Sequence, residues 1–172
     1  MDKYGKLITD DTLMFERMLP GPIERVWEYL TNPDKRSLWF AGGPMDLQPQ
    51  GDVTFVFDHD RLSPNPDSPP EKYKEHANGS TSKAMVLECT PPSKLVIEWE
   101  GKVTFQLSPE GQHVKFTLTH ERLSDEKETR IGVMAGWHTH LDILVDRMNE
   151  KDPPGFWGVH MRLEEEYGDR FY

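Results

Sequence analysis

Apolar positions recur along this chain at two periods, and the change from one to the other divides it. The run TLMFERML, from Thr12 to Leu19, mixes apolar and charged residues as a strand with one buried face does. Pro20-Gly21-Pro22 stops it, and Pro22 suits the first position of a helix, where its missing N–H costs nothing. Ile23, Val26, Trp27 and Leu30 then make a single short apolar stripe. Asn32-Pro33 ends that helix and can cap a second one, which delivers Leu38, Trp39 and Phe40 before the turn AGGP.

A period of two governs the middle of the chain. VTFVFD at 53–58 places Val53, Phe55 and Phe57 on one face. The stretch 59–78 is polar and proline-rich, and reads as a long exposed, mobile loop at a sheet edge or cavity mouth. SKAMVLEC resumes the strand pattern, with Met85, Leu87 and Cys89 on one side, and Pro91-Pro92 turns the chain. Leu95, Ile97 and Trp99 share a face, as do Val103, Phe105 and Leu107. SPEGQ reads as a turn, and HVKFTLTHE carries Val114, Phe116, Leu118 and His120 on one face.

The period then lengthens. From about Glu126 to Asn149, Met134, Trp137, Leu141, Leu144 and Met148 repeat at three and four, one stripe of a long helix at ~100° per residue. Gly132 and Gly136 lie inside it at roughly 1 kcal/mol each relative to alanine, and are expected to let it approach the sheet. DPPG ends the helix, and a last short one is expected over 156–168, with Phe156, His160, Leu163 and Tyr167 on one side. The expected order is one strand, two short helices, about six strands and one long helix. Tight turns between strands make the sheet antiparallel, so the fold class is α+β.

Composition narrows the setting. The 172 residues fit one domain over 1–172, with a core at about 12–150 and a C-terminal extension at 151–172. A net charge of −10 argues against nucleic acid and anionic membranes as partners. Cys89 is the only cysteine, so no intrachain disulfide and no thiolate metal cluster is expected. The start MDKYGKLITDD lacks a basic and apolar leader, and no apolar run approaches ~18 residues. Cytoplasmic location without a membrane span is the expectation.

Three stretches carry a family likeness: RMLPGPIERVWEYLTNPDKRSLWF, NGSTSKAMVLECTPPSKLVIEW and GWHTHLDIL. Together they resemble the single-domain proteins similar to the C-terminal domain of the activator of the 90-kDa heat-shock-protein ATPase, within the START-like (SRPBCC, birch-pollen-allergen-like) superfamily. The likeness spans about residues 12–150. It implies a helix-grip fold, a curved antiparallel sheet wrapped around the long C-terminal helix with an apolar cavity between them. Phe40 stands where the family has a second tryptophan, and 59–78 looks like an insertion. The full co-chaperone carries a separate N-terminal domain for which this chain has no room, which counts against a chaperone partner.

The chemistry-bearing residues are few. Trp39, Phe40, Phe55, Trp99, Phe116 and Trp137 are expected to line the cavity or close its mouth, with His120 and His140 as the polar groups beside them. His138 and His140 lie ~200° apart on a helix and cannot chelate one ion; neither HxxxH nor HExxH occurs, so no metal or other cofactor is expected. Glu98 and Glu100 are expected on the face opposite Trp99, Glu164 to Glu166 on a charged helix surface, and Cys89 as a buried inert thiol. Gly42-Gly43 lacks the Lys-Ser/Thr of a phosphate loop. The functional expectation is binding of a small hydrophobic or aromatic ligand, with a stress-related role as its setting. The alternatives are an enzyme of the same fold (cyclase, dehydratase or hydrolase) using a pocket histidine, and a co-chaperone or interaction module, a homodimer included. An exposed aromatic patch near Trp157 and Phe171 would favour the last.

Overall fold

The computed structural model describes residues 2–172. Seven strands form one antiparallel sheet in the order β1-β2-β7-β6-β5-β4-β3. They are β1 (Lys6–Thr9), β2 (Thr12–Pro20), β3 (Asp52–Phe57), β4 (Ser80–Thr90), β5 (Lys94–Glu98), β6 (Lys102–Glu110) and β7 (His113–Glu121). The helices are α1 (Ile23–Thr31), α2 (Pro33–Arg36), α3 (Lys127–Met148) and α4 (Phe156–Phe171). This is the α+β helix-grip arrangement: α3 lies in the concave sheet, and α1 and α2 carry the chain from β2, near one edge, to β3 at the other. No helix among the described residues is long and apolar enough to cross a membrane.

Local details refine the sequence pattern. β1 is an added edge strand, and Pro22 is the N-cap of α1 rather than its first residue. The β6–β7 turn is shorter than SPEGQ: Glu110 pairs with His113, leaving a two-residue turn. A bulge in β4 between Val86 and Glu88 breaks the expected alternation, so Val86 is buried, Met85 is exposed and Cys89 is only half-buried.

The Asn32 carboxamide accepts from the backbone N–H groups of Asp34 and Lys35, capping α2 as expected. Arg36, at the end of α2, is fully buried without a carboxylate. Its Nε donates to the Ala41 carbonyl at 2.8 Å, and its other nitrogens donate to carbonyls of Thr31 and Gly43. Burial lowers its pKa to about 10. This arginine fixes the loop after α2 and thereby the positions of Trp39 and Phe40. Gly43, at φ +94°, is required there, since a Cβ would lie 2.0 Å from the Thr54 carbonyl oxygen.

The stripe of α3 faces the sheet: Met134, Trp137, Leu141, Leu144 and Met148 are all buried. Its opposite side is buried too, at Ala135, Thr139 and Ile143, because α4 packs against α3. Phe156, His160, Leu163 and Tyr167 are the buried side of α4.

Candidate functional site

A cavity of about 760 Å³ opens between the N-terminal half of α3, the end of the sheet near Trp99, the first turn of α4 and the 59–78 segment. Phe40 stands at its centre of packing. Its ring stacks on Trp137 at 5.1 Å between centroids and meets Trp99 at 5.6 Å and His140 at 5.0 Å edge to face. Five of the expected residues, Phe40, Trp99, His120, Trp137 and His140, line this space. Trp39, Phe55 and Phe116 do not. They are fully buried in the apolar core beside it, Trp39 with its indole N–H donated to the Tyr29 carbonyl at 2.7 Å. The cavity occupies only the α3 residues from Glu128 to His140, so inward-facing positions elsewhere in the sheet become solid core.

The two glycines of α3 have a different role from the one expected. They face the cavity and its far wall rather than the sheet. A Cβ on Gly132 would meet Tyr73 Oη at 3.5 Å, and one on Gly136 would meet His160 Cε1 at 3.9 Å. Their missing side chains are part of the open space.

The roof comes from the 59–78 segment, which is tied down rather than loose. It contains two 3₁₀ turns, His59–Leu62 and Glu71–His76. Ser63 Oγ donates to the Pro153 carbonyl at 2.6 Å. The Asp67 carboxylate accepts from the backbone N–H groups of Trp157 and Gly158 at 2.9 and 2.8 Å, an anion set on the N-terminus of α4. Lys72 Nζ and Tyr73 Oη donate to Glu164 Oε2 at 2.9 and 3.0 Å. Tyr73 stacks on Trp157 at 5.3 Å, and His59 lies 4.6 Å from the same indole. Trp157 is thus covered, and Phe171 stacks on Tyr167, so no exposed aromatic patch forms at these two residues. Glu164 is likewise buried, not part of a charged surface.

Five of the chain's seven histidines line the cavity: His59, His76, His120, His140 and His160. Among the described residues no three His, Cys, Asp or Glu side chains gather as a metal ion would need. His120 is engaged on both nitrogens. Its Nδ1 accepts from Trp137 Nε1 at 3.0 Å, so its Nε2 carries the proton and donates to the Glu100 carbonyl at 2.9 Å. Burial lowers its pKa despite that second bond. His140 has its Nδ1 at 2.8 Å from the Trp39 carbonyl. Burial first, then His59 and His160, push its pKa down to about 3. Burial likewise takes His59 and His160 to about 4. At neutral pH these rings are uncharged and weakly basic, suited to hydrogen bonding more than to proton abstraction.

Carboxylates stand at the rim, contrary to the parity expectation for Glu100. β5 ends at Glu98, which pairs with Arg122, and the turn through Glu100 (φ +51°) and Gly101 (φ +120°) brings Glu100 to the cavity edge with Glu128.

The chain superposes on a protein of Bordetella parapertussis solved by NMR, with 34% identity and a TM-score of 0.82, covering 99% of this chain and 91% of that one. CalU16 from Micromonospora echinospora matches with 21% identity and a TM-score of 0.63, over 92% of this chain and 86% of its own. DynU16, from the dynemicin biosynthetic locus, matches with 17% identity and a TM-score of 0.59, over 84% of this chain and 49% of its own. The last two likenesses show fold alone. No curated protein matches. The sequence profile of the activator of Hsp90 ATPase homolog 1-like proteins matches residues 20–149, and the chain belongs to that family.

Proposed function

We propose that the chain binds a small, flat and largely apolar ligand in the roofed cavity. The observation that carries this reading is a space of about 760 Å³ walled by the rings of Phe40, Trp99, Trp137 and Trp157, with histidines set among them and carboxylates at its edge. That volume and lining are those of a ligand pocket, and aromatic walls favour a ligand that stacks. CalU16 and DynU16 share the fold, and DynU16 comes from a biosynthetic locus, which is compatible with a ligand of this kind. The engaged His120 and the weakly basic His140 favour binding over proton transfer.

The test is a thermal-shift screen of fused-ring aromatics, flavonoids and fatty acids, read alongside tryptophan fluorescence. A true ligand at a hundredfold excess over its dissociation constant stabilises the fold by about 2.7 kcal/mol. Gly136→Leu, which puts a side chain into the cavity, is expected to keep the fold and abolish the shift. A ligand whose effect survives Gly136→Leu binds elsewhere and sinks the proposal.

A further inference from the structure

We infer that His140 forms a subsite for a ligand hydroxyl, so that the cavity selects an uncharged fused-ring aromatic bearing a phenolic O–H. This rests on the cavity being a ligand site and goes further by naming the chemistry it selects. A carbonyl oxygen has no proton to give, so the 2.8 Å contact between His140 Nδ1 and the Trp39 carbonyl places the ring's proton on Nδ1. In the neutral ring Nε2 is then a bare acceptor. Burial, with His59 and His160, keeps the ring neutral. Nε2 has no hydrogen-bond partner among the described residues and is not among the fully enclosed orphan atoms. The side chain is 6% exposed, wedged between Phe40 at 5.0 Å and Phe156 at 4.8 Å, and it lines the cavity. It is a fixed acceptor in an apolar wall.

The surroundings decide which donor it takes. A carboxylate brings no proton to Nε2 and meets Glu100 and Glu128 at the rim. Among the described lining residues no unpaired cation offsets them: His59 and His160 are held neutral, Lys72 is paired with Glu164, and His76 stands beside Glu75. An ammonium would have to shed its hydration between Phe40 and Phe156, at a high desolvation cost. A phenol avoids both penalties, since it is neutral, donates one proton and extends a flat ring that stacks on Phe40 and Trp137.

The experiment titrates the full chain with 1-hydroxypyrene, 1-methoxypyrene and pyrene-1-carboxylate, read by tryptophan quenching. The hydroxyl compound is expected to bind about tenfold tighter than the methoxy compound, the worth of one net hydrogen bond, and the carboxylate weakest. In His140→Phe that preference should vanish while methoxypyrene affinity stays within about twofold. If His140→Phe does not fold, His140→Gln, which keeps a donor for the Trp39 carbonyl, is expected to reduce the preference. Equal binding of the hydroxyl and methoxy compounds to the unaltered protein overturns the subsite and leaves the cavity reading standing. So does a preference that persists without His140, or a carboxylate that binds as tightly as the phenol. Failure of all three to bind overturns both.

Discussion

A histidine with both ring nitrogens in hydrogen bonds cannot exchange a proton without breaking one, and His120 is so placed between Trp137 and Glu100. Its work is positional: it holds the indole of Trp137 and pins the turn that presents Trp99. His120→Leu removes the partner of a buried indole N–H and of a carbonyl. At about 1–3 kcal/mol for each of these two groups left unsatisfied, a loss of about 2–6 kcal/mol is expected in urea unfolding; a loss below about 0.5 kcal/mol would deny it that role. Strand parity was enough to put Phe55, Trp99, Phe116 and His120 on the inward face. It carries no information about depth along the helix, and depth is what separates Trp99, beside the cavity, from Phe116, inside the core. Parity also stops at a strand's end, which is why it misplaced Glu100.

At the scale of elements, the sheet-facing stripe of α3 was legible because five large apolar residues repeat with the helical period. The burial of its other side was not, because Ala135 and Thr139 look no different on a solvated helix. The 59–78 segment misled more. Its prolines and charges resemble those of a free loop, yet Asp67, Lys72 and Tyr73 find their partners on α4, too far along the chain for any local pattern to show. Glu164 is the post to which the roof is tied. Glu164→Ala should therefore leave the sheet intact while trypsin cleaves at Lys72 and Lys74 several times faster than in the unaltered protein, about what loss of 1 kcal/mol of local closure gives. Equal cleavage rates in the two proteins would show that the tie does not hold the roof.

For the molecule as a whole, the enclosed imidazoles make stability a function of pH. His140 and His160 have folded-state pKa values of about 3 and 4 against an ordinary 6.5. As pH falls below 6.5 the unfolded chain takes up protons that the folded chain refuses, so stability is lost progressively down to those folded values. At pH 5 the loss is about 2 kcal/mol for each of the two rings. Asp142 adds its share only below the usual carboxylate range: burial opposes its charge, but His138 and Arg17 outweigh burial and hold its pKa down. Thermal unfolding is expected to show a marked fall in Tm between pH 7 and pH 5, flattened in His140→Gln and His160→Gln; a flat profile in the unaltered protein would contradict the enclosure of these rings. The tie between roof and α4 also has a consequence in time. Asp67, Lys72 and Tyr73 bond to residues some 90 positions downstream. During vectorial synthesis the roof therefore has nothing to rest on until α4 leaves the ribosome. Until then the aromatic wall around Phe40 and Trp137 lacks its cover, so the nascent chain keeps an apolar surface open to aggregation until its last helix is made.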